Sequence, residues 1–185
     1  MKRKTAIRNI LIISAGAVLL PGCKNSDRPK IFLKNISLSG SDEELLANMT
    51  RLIIPKTKDF TGAEDLKSHE FLLVMMDDCN GPENQKKFTD GMKSFKEGCK
   101  KKFDNSFIRC TDQQKKDFLK ELDISKNQND FAVEFYKTVK GYTVQSYTTS
   151  KEYMLQIEGY NMVPGSNYKG RVPVKKSRGF LKINF

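Results

Sequence analysis

A small all-α helical bundle with an irregular C-terminal arm is the fold class this sequence predicts, on three observations. Apolar residues recur at helical spacing from Leu45 to about Ile157, the i, i+3, i+4 rhythm of helices that bury one face. Capping signatures and prolines interrupt that rhythm where helices must start or stop. Beyond Gly159 the rhythm ends, and Pro164-Gly165, Gly170, Pro173 and Gly179 punctuate a tail without periodicity.

The first 22 residues belong to processing rather than to the bundle. A basic head, Met1-Lys2-Arg3-Lys4 with Arg8, precedes the apolar run Ile10 to Leu20. That run is about half of what a helix needs to cross a ~30 Å hydrocarbon core, so residues 1–22 read as a signal peptide. It ends in Leu20-Pro21-Gly22-Cys23, which resembles the lipobox of bacterial lipoproteins and makes Cys23 the expected lipidation site. Acylation with several chains holds a protein on a membrane stably without a span. The expected location is therefore membrane-anchored and facing the periplasm.

Residues 23–40, with Pro29, Ser37, Ser39 and Gly40 among isolated apolar positions, read as a tether. Residues 41–185 then form a single helical domain whose arm begins near 159. Ser41-Asp42-Glu43-Glu44 fits a capping box, followed by Leu45, Leu46, Met49, Leu52 and Ile53, with Pro55 stopping the helix. A second helix is expected from Ala63 through Leu72 and Met76 to Cys79-Asn80-Gly81. Pro82 suits the first turn of a third, which carries Phe88, Met92, Phe95 and Cys99. Thr111-Asp112-Gln113-Gln114 caps a fourth through Phe118 and Leu122. Asn129-Asp130 opens a fifth that runs towards Tyr147, and a short sixth spans Ser150 to Ile157.

The formal charge is +11, four of it in the leader, so the remainder carries about +7. Its basic residues lie in short runs such as Lys100-Lys101-Lys102 and Lys115-Lys116, which read as solvated helix faces, with anionic headgroups or an acidic partner as the sharper alternatives. Nucleic acid is not an expected partner of an exported lipoprotein. After Cys23 three cysteines remain, Cys79, Cys99 and Cys110, an odd number that leaves at least one thiol unpaired. Two states stay open: Cys99 joined to Cys110 with Cys79 buried as a small apolar residue, or all three reduced and packed.

The supply of catalytic groups is thin. His69 is the one histidine, so any Ser-His-Asp, Cys-His or multi-histidine metal scheme would depend on it. It reads as a surface or partly packed side chain. The Cys-x-x-Cys-His haem motif and glycine-rich phosphate loops are absent from the sequence. Asp77-Asp78 and Glu43-Glu44 point about 100° apart on a helix and do not converge, so capping or surface roles are expected. No catalytic, cofactor-binding or metal-ligating residue is assigned. The tail differs: Ser146 to Tyr153 and Tyr160 to Pro173 gather aromatics, prolines and glycines in a stretch that either lies against another surface or packs on its own bundle.

These residues together resemble the gluconate 2-dehydrogenase subunit 3 family, the small subunit of membrane-associated flavoprotein dehydrogenases. The resemblance rests on Leu20-Pro21-Gly22-Cys23, Leu52-Ile53-Ile54-Pro55, Thr61-Gly62-Ala63, Asp77-Asp78-Cys79 and, most specifically, Tyr147 to Ser150, Tyr160, Pro164-Gly165, Tyr168, Gly170 and Val172-Pro173. Arg3-Lys4 is a degenerate form of the twin-arginine signal common in family leaders. Arg171 stands where many members have cysteine, and the usual tryptophan near the C-terminus is missing.

The resemblance implies a non-catalytic subunit that binds no cofactor itself. FAD, and haem where a cytochrome c subunit takes part, would belong to the partner subunits. It would assist export, assembly and membrane attachment of a flavoprotein large subunit that oxidises a sugar, sugar acid or polyol. Its partner-binding surface is expected at Tyr147, Thr149, Ser150, Tyr160, Pro164, Gly165 and Tyr168. The alternative reading is a stand-alone periplasmic lipoprotein that binds a small ligand in its bundle, with only His69, Asp77 and Asp78 to offer polar contacts.

Overall fold

The computed structural model of the protein describes residues 27–125, 127 and 130–156. Among these there are six α-helices, one 3-10 turn and no strand, as the periodicity predicted. The helices are α1 (Gly40–Ile53), α2 (Ser68–Asp78), α3 (Pro82–Phe103), α4 (Asp112–Ile124), α5 (Phe131–Thr148) and α6 (Lys151–Gln156), with the 3-10 turn at Phe107–Arg109. The signal peptide, Cys23 and the arm from residue 157 lie outside the described residues. Internal contacts divide the chain into two units, Met1–Tyr147 and Thr148–Phe185. Of the second, the described part is α6 with the turn before it, where the Ser150 hydroxyl accepts the Tyr153 N–H at 3.2 Å.

The first unit is organised by phenylalanines. Phe95 of α3 is fully buried, its ring 5.1 Å from those of Phe107 and Phe118 and 5.5 Å from that of Phe135. One side chain thus joins α3, the 3-10 turn, α4 and α5, with roughly 0.5–1.5 kcal/mol per ring pair beyond area burial. Leu46 and Met49 of α1, Leu72 and Leu73 of α2 and Val133 and Val139 of α5 complete the core. Gly91 permits the α3–α5 crossing: a Cβ there would lie 2.8 Å from Phe131 O and from Phe135 Cβ.

Helix ends follow local chemistry, with two corrections to the sequence reading. Helix α1 is capped by Ser39, not Ser41. The Ser39 hydroxyl accepts the Asp42 N–H and the Asp42 carboxylate accepts the Ser39 N–H at 3.0 Å. Ser39 prevails because the Asp27 carbonyl accepts the Gly40 N–H at 2.7 Å, which places upstream backbone where a Cβ on residue 40 would meet Arg28 O at 2.9 Å. Helix α2 begins at Ser68, five residues after Ala63. Lys67 adopts left-handed backbone, φ 52°, and residues before it form turns in which the Ala63 carbonyl accepts the Ser68 N–H at 3.0 Å. Pro82 at the start of α3 and the Thr111–Gln114 capping box of α4 stand as the sequence indicates.

Residues 27–38 do not form the loose tether the composition suggested. Ile36 is buried and Ile31, Leu33 and Leu38 pack against the core. The segment has no helix or strand partner for its backbone, so its N–H groups need other acceptors. A buried carboxylate supplies them.

Candidate functional site

That carboxylate is Asp77, in the last turn of α2 and 3% exposed. One oxygen accepts the N–H of Asn35 at 2.7 Å and of Ile36 at 2.8 Å, and the other accepts the N–H of Lys34 at 2.7 Å. The Asn35 amide returns a bond to the Asp77 carbonyl at 2.9 Å. Burial alone would raise the Asp77 pKa. The three backbone donors and the Lys34 charge outweigh it and hold the carboxyl below its ordinary range. Upstream, the buried Glu43 carboxylate accepts the Lys30 N–H at 2.6 Å. Two acidic side chains therefore clamp the N-terminal segment to α1 and α2.

The sequence reading placed Asp77 and Glu43 at the surface or in caps, and the structure overturns that for both. Asp77 lies four residues beyond Leu73 and next to Met76, on the buried stripe of α2; that spacing marks an inward position but does not reveal the distant backbone donors that allow a charge there. The Lys115-Lys116 run is corrected in the same way. Lys115 is 5% exposed because its position on α4 faces inward with Phe118 and Leu119. Its ammonium donates to the Asn48 amide oxygen at 3.1 Å and sits 5.8 Å from the centre of the Phe107 ring.

The polar groups named for a ligand site do not converge. His69 and Asp77 are eight positions apart on α2, about 12 Å along its axis, and Asp78 is exposed. His69 is partly buried, with Nδ1 shielded and without a hydrogen-bond partner among the described residues. Burial lowers its pKa against the opposing charges of Glu70 and Glu43, so the imidazole is neutral at pH 7. Among the described residues no three His, Cys, Asp or Glu side chains are grouped to hold a metal ion.

A cleft lies elsewhere, an open hollow of about 560 Å³ between α2, α3 and α5. Met76, Phe88 and Phe135 form its floor, and Lys87 and Glu134 stand on its rim. Its polar groups are engaged: the Asn80 amide donates to the Met75 carbonyl at 2.9 Å and to the Tyr142 hydroxyl at 2.8 Å, and Lys87 pairs with Glu83 at 2.9 Å. The arrangement can seat an amphipathic group but sets no nucleophile beside a base.

Of the cysteines, Cys99 and Cys110 are buried with their sulfurs 3.9 Å apart, close neighbours but not bonded, whereas Cys79 is exposed rather than buried. Burial and the adjacent Cys110 push the Cys99 thiol up to about 12. Of the expected partner-binding residues, Tyr147 lies on the last turn of α5 and is partly buried; Thr149 is exposed, and Ser150 precedes α6 with its hydroxyl accepting a backbone N–H. Tyr160, Pro164, Gly165 and Tyr168 lie outside the described residues.

A family model described as gluconate 2-dehydrogenase subunit 3 matches residues 41–165. No curated protein and no solved structure matches the chain.

Proposed function

Because the chain belongs to the gluconate 2-dehydrogenase subunit 3 family, we propose that it is a non-catalytic accessory subunit of a flavin-dependent dehydrogenase acting on a sugar, sugar acid or polyol. The match over residues 41–165 carries this reading. It is supported by the structural occupations of the buried ionisable groups: Asp77 and Glu43 hold backbone, and Lys115 holds Asn48. In this role the protein is exported, acylated at Cys23 and kept on the membrane facing the periplasm, where it assists export and assembly of the flavoprotein large subunit. Where a cytochrome c subunit takes part, it is the electron acceptor of the assembly. The flavin and haem sit on those partners, and the tyrosines Tyr147, Tyr160 and Tyr168 with the Pro164-Gly165 turn contribute the contact surface.

The test is recovery of the acylated protein from its native membrane, with mass spectrometry of what accompanies it and an absorbance scan for flavin. A stoichiometric flavoprotein that is lost when Tyr147, Tyr160 and Tyr168 become alanine supports the reading. Recovery of the chain alone, without flavin, sinks it. The 560 Å³ cleft would then be the place to look for a small ligand.

A further inference from the structure

The N-terminal segment carries the most exposed large apolar side chain among the described residues, Phe32, at 88%. A single exposed apolar residue is ordinary on a protein surface, but three features set this one apart. Its backbone is held on both sides, with Lys30 N–H on Glu43 and Lys34 N–H on Asp77. Ile31 and Leu33 on either side pack against the core and leave Phe32 between them facing out. Beside it stand Lys30 and Lys34, both exposed, and residues 28–38 contain no acid. The result is an arch, over a hollow of about 400 Å³, that presents one aromatic ring within a set of cations.

Chain length says what this arch faces. Phe32 is nine residues from Cys23, a span of at most about 30 Å for fully extended chain. With Cys23 acylated, the arch cannot leave the vicinity of the lipid headgroups.

We propose that residues 30–34 form a docking surface for an anionic lipid bilayer, with Phe32 entering the headgroup–acyl boundary and Lys30 and Lys34 facing lipid phosphates. This deepens the lipoprotein reading of Cys23 and rests on it. The physical logic is that of a two-signal anchor, in which acyl chains are joined by a basic, aromatic patch. The Asp77 and Glu43 clamps make the patch rigid, so docking would fix the orientation of the bundle as well as its distance from the bilayer.

The chain has no tryptophan, so Phe32→Trp introduces a single tryptophan at an exposed position, excited selectively at wavelengths where tyrosine does not absorb. The full chain, purified from its membrane, is reconstituted into phosphatidylcholine vesicles with and without about 30% phosphatidylglycerol, some carrying brominated acyl chains. Ile124→Trp, at the 71% exposed position on α4, is the control. Blue-shifted emission quenched by bromine for Phe32→Trp alone, weakened without phosphatidylglycerol or at high salt, is the expected result. Lys30→Gln and Lys34→Gln should each lower affinity for anionic vesicles roughly five-fold.

Water-like emission from Phe32→Trp in acylated protein overturns the docking surface while leaving lipidation intact. Intact mass of the same sample reads the acyl chains separately, so a non-acylated protein that still docks through Phe32 upholds the surface and removes the lipoprotein reading. A blue shift that needs added flavoprotein rather than lipid assigns the patch to a protein partner and overturns the proposal.

Discussion

The Asp77 carboxylate accepts the backbone N–H of Ile36 at 2.8 Å, across 41 residues of chain, and so ties a segment without regular structure to the end of a helix. Removing the acceptor strands three backbone donors, each costing about 1–3 kcal/mol if it stays buried. Asp77→Ala should therefore lower stability by about 3–5 kcal/mol, measured by urea unfolding. Hydrogen exchange at Lys34, Asn35 and Ile36 should accelerate more than exchange in α3. Unchanged exchange at those three amides would show that the segment is held by its apolar residues alone.

The same bond has a pH signature. The folded Asp77 carboxyl lies below its ordinary value near 3.8, so the unfolded chain takes up a proton first as pH falls. Its contribution is fully present above pH 3.8 and is lost as pH drops through the folded value. Asp42 acts in the same direction: burial raises it, but the Lys96 ion pair and the Ser39 donors prevail. Stability of the wild type should fall steeply on acidification below about pH 4. Asp77→Asn should show a shallower fall, and equal slopes would remove Asp77 from the account.

Capping distinguishes Ser39 from Ser41. Loss of an N-cap hydroxyl costs about 1 kcal/mol, so Ser39→Ala should destabilise by that amount and Ser41→Ala by a few tenths at most. Thr111→Ala should resemble Ser39→Ala, since Thr111 caps α4. Thermal unfolding of the three variants ranks them directly.

Two helical glycines should respond with opposite signs. At Gly91 a Cβ meets Phe131 O at 2.8 Å, whereas at Gly141 it meets nothing within 4 Å. Gly141→Ala should stabilise by about 0.5–1 kcal/mol through helix propensity. Gly91→Ala gains the same propensity but forces α5 away from α3, for a net loss of about 1–3 kcal/mol. A stabilising Gly91→Ala would mean that the crossing yields more readily than the packing of Phe88 on Phe135 suggests.

Thiol chemistry should separate Cys79 from the buried pair. Alkylation at pH 8 should modify Cys79 first, because Cys99 ionises only near 12 and the thiolate is the reactive form. A disulfide-containing oxidant such as oxidised glutathione should then accept two electrons and two protons from Cys99 and Cys110, joining their sulfurs. The product loses about 2 Da and gains roughly 3–10 °C in Tm. Dimers joined through Cys79, with no bond between Cys99 and Cys110, would contradict this.

Much of the fold was legible in the sequence because local physics dictates it. Pro55, Pro82 and the Thr111–Gln114 box act within one turn of chain, where backbone geometry leaves few alternatives. The proximity of Cys99 and Cys110 was also accessible, since 11 residues and a turn connect them. The expected binding residues Tyr147, Thr149 and Ser150 stood out by composition, which marks a surface segment but does not say what it touches.

What the sequence alone determined is the number, order and approximate ends of the helices, and the family. Only the tertiary structure decided which polar residues are interior. Asp77, Glu43 and Lys115 look like surface charges in one dimension, because a charge is buried only when distant chain brings it a partner. Asp77 finds its donors 41–43 positions away and Lys115 its acceptor 67 positions away. The same long-range bonds turned an apparent tether into a clamped arch and left Phe32 standing outside it.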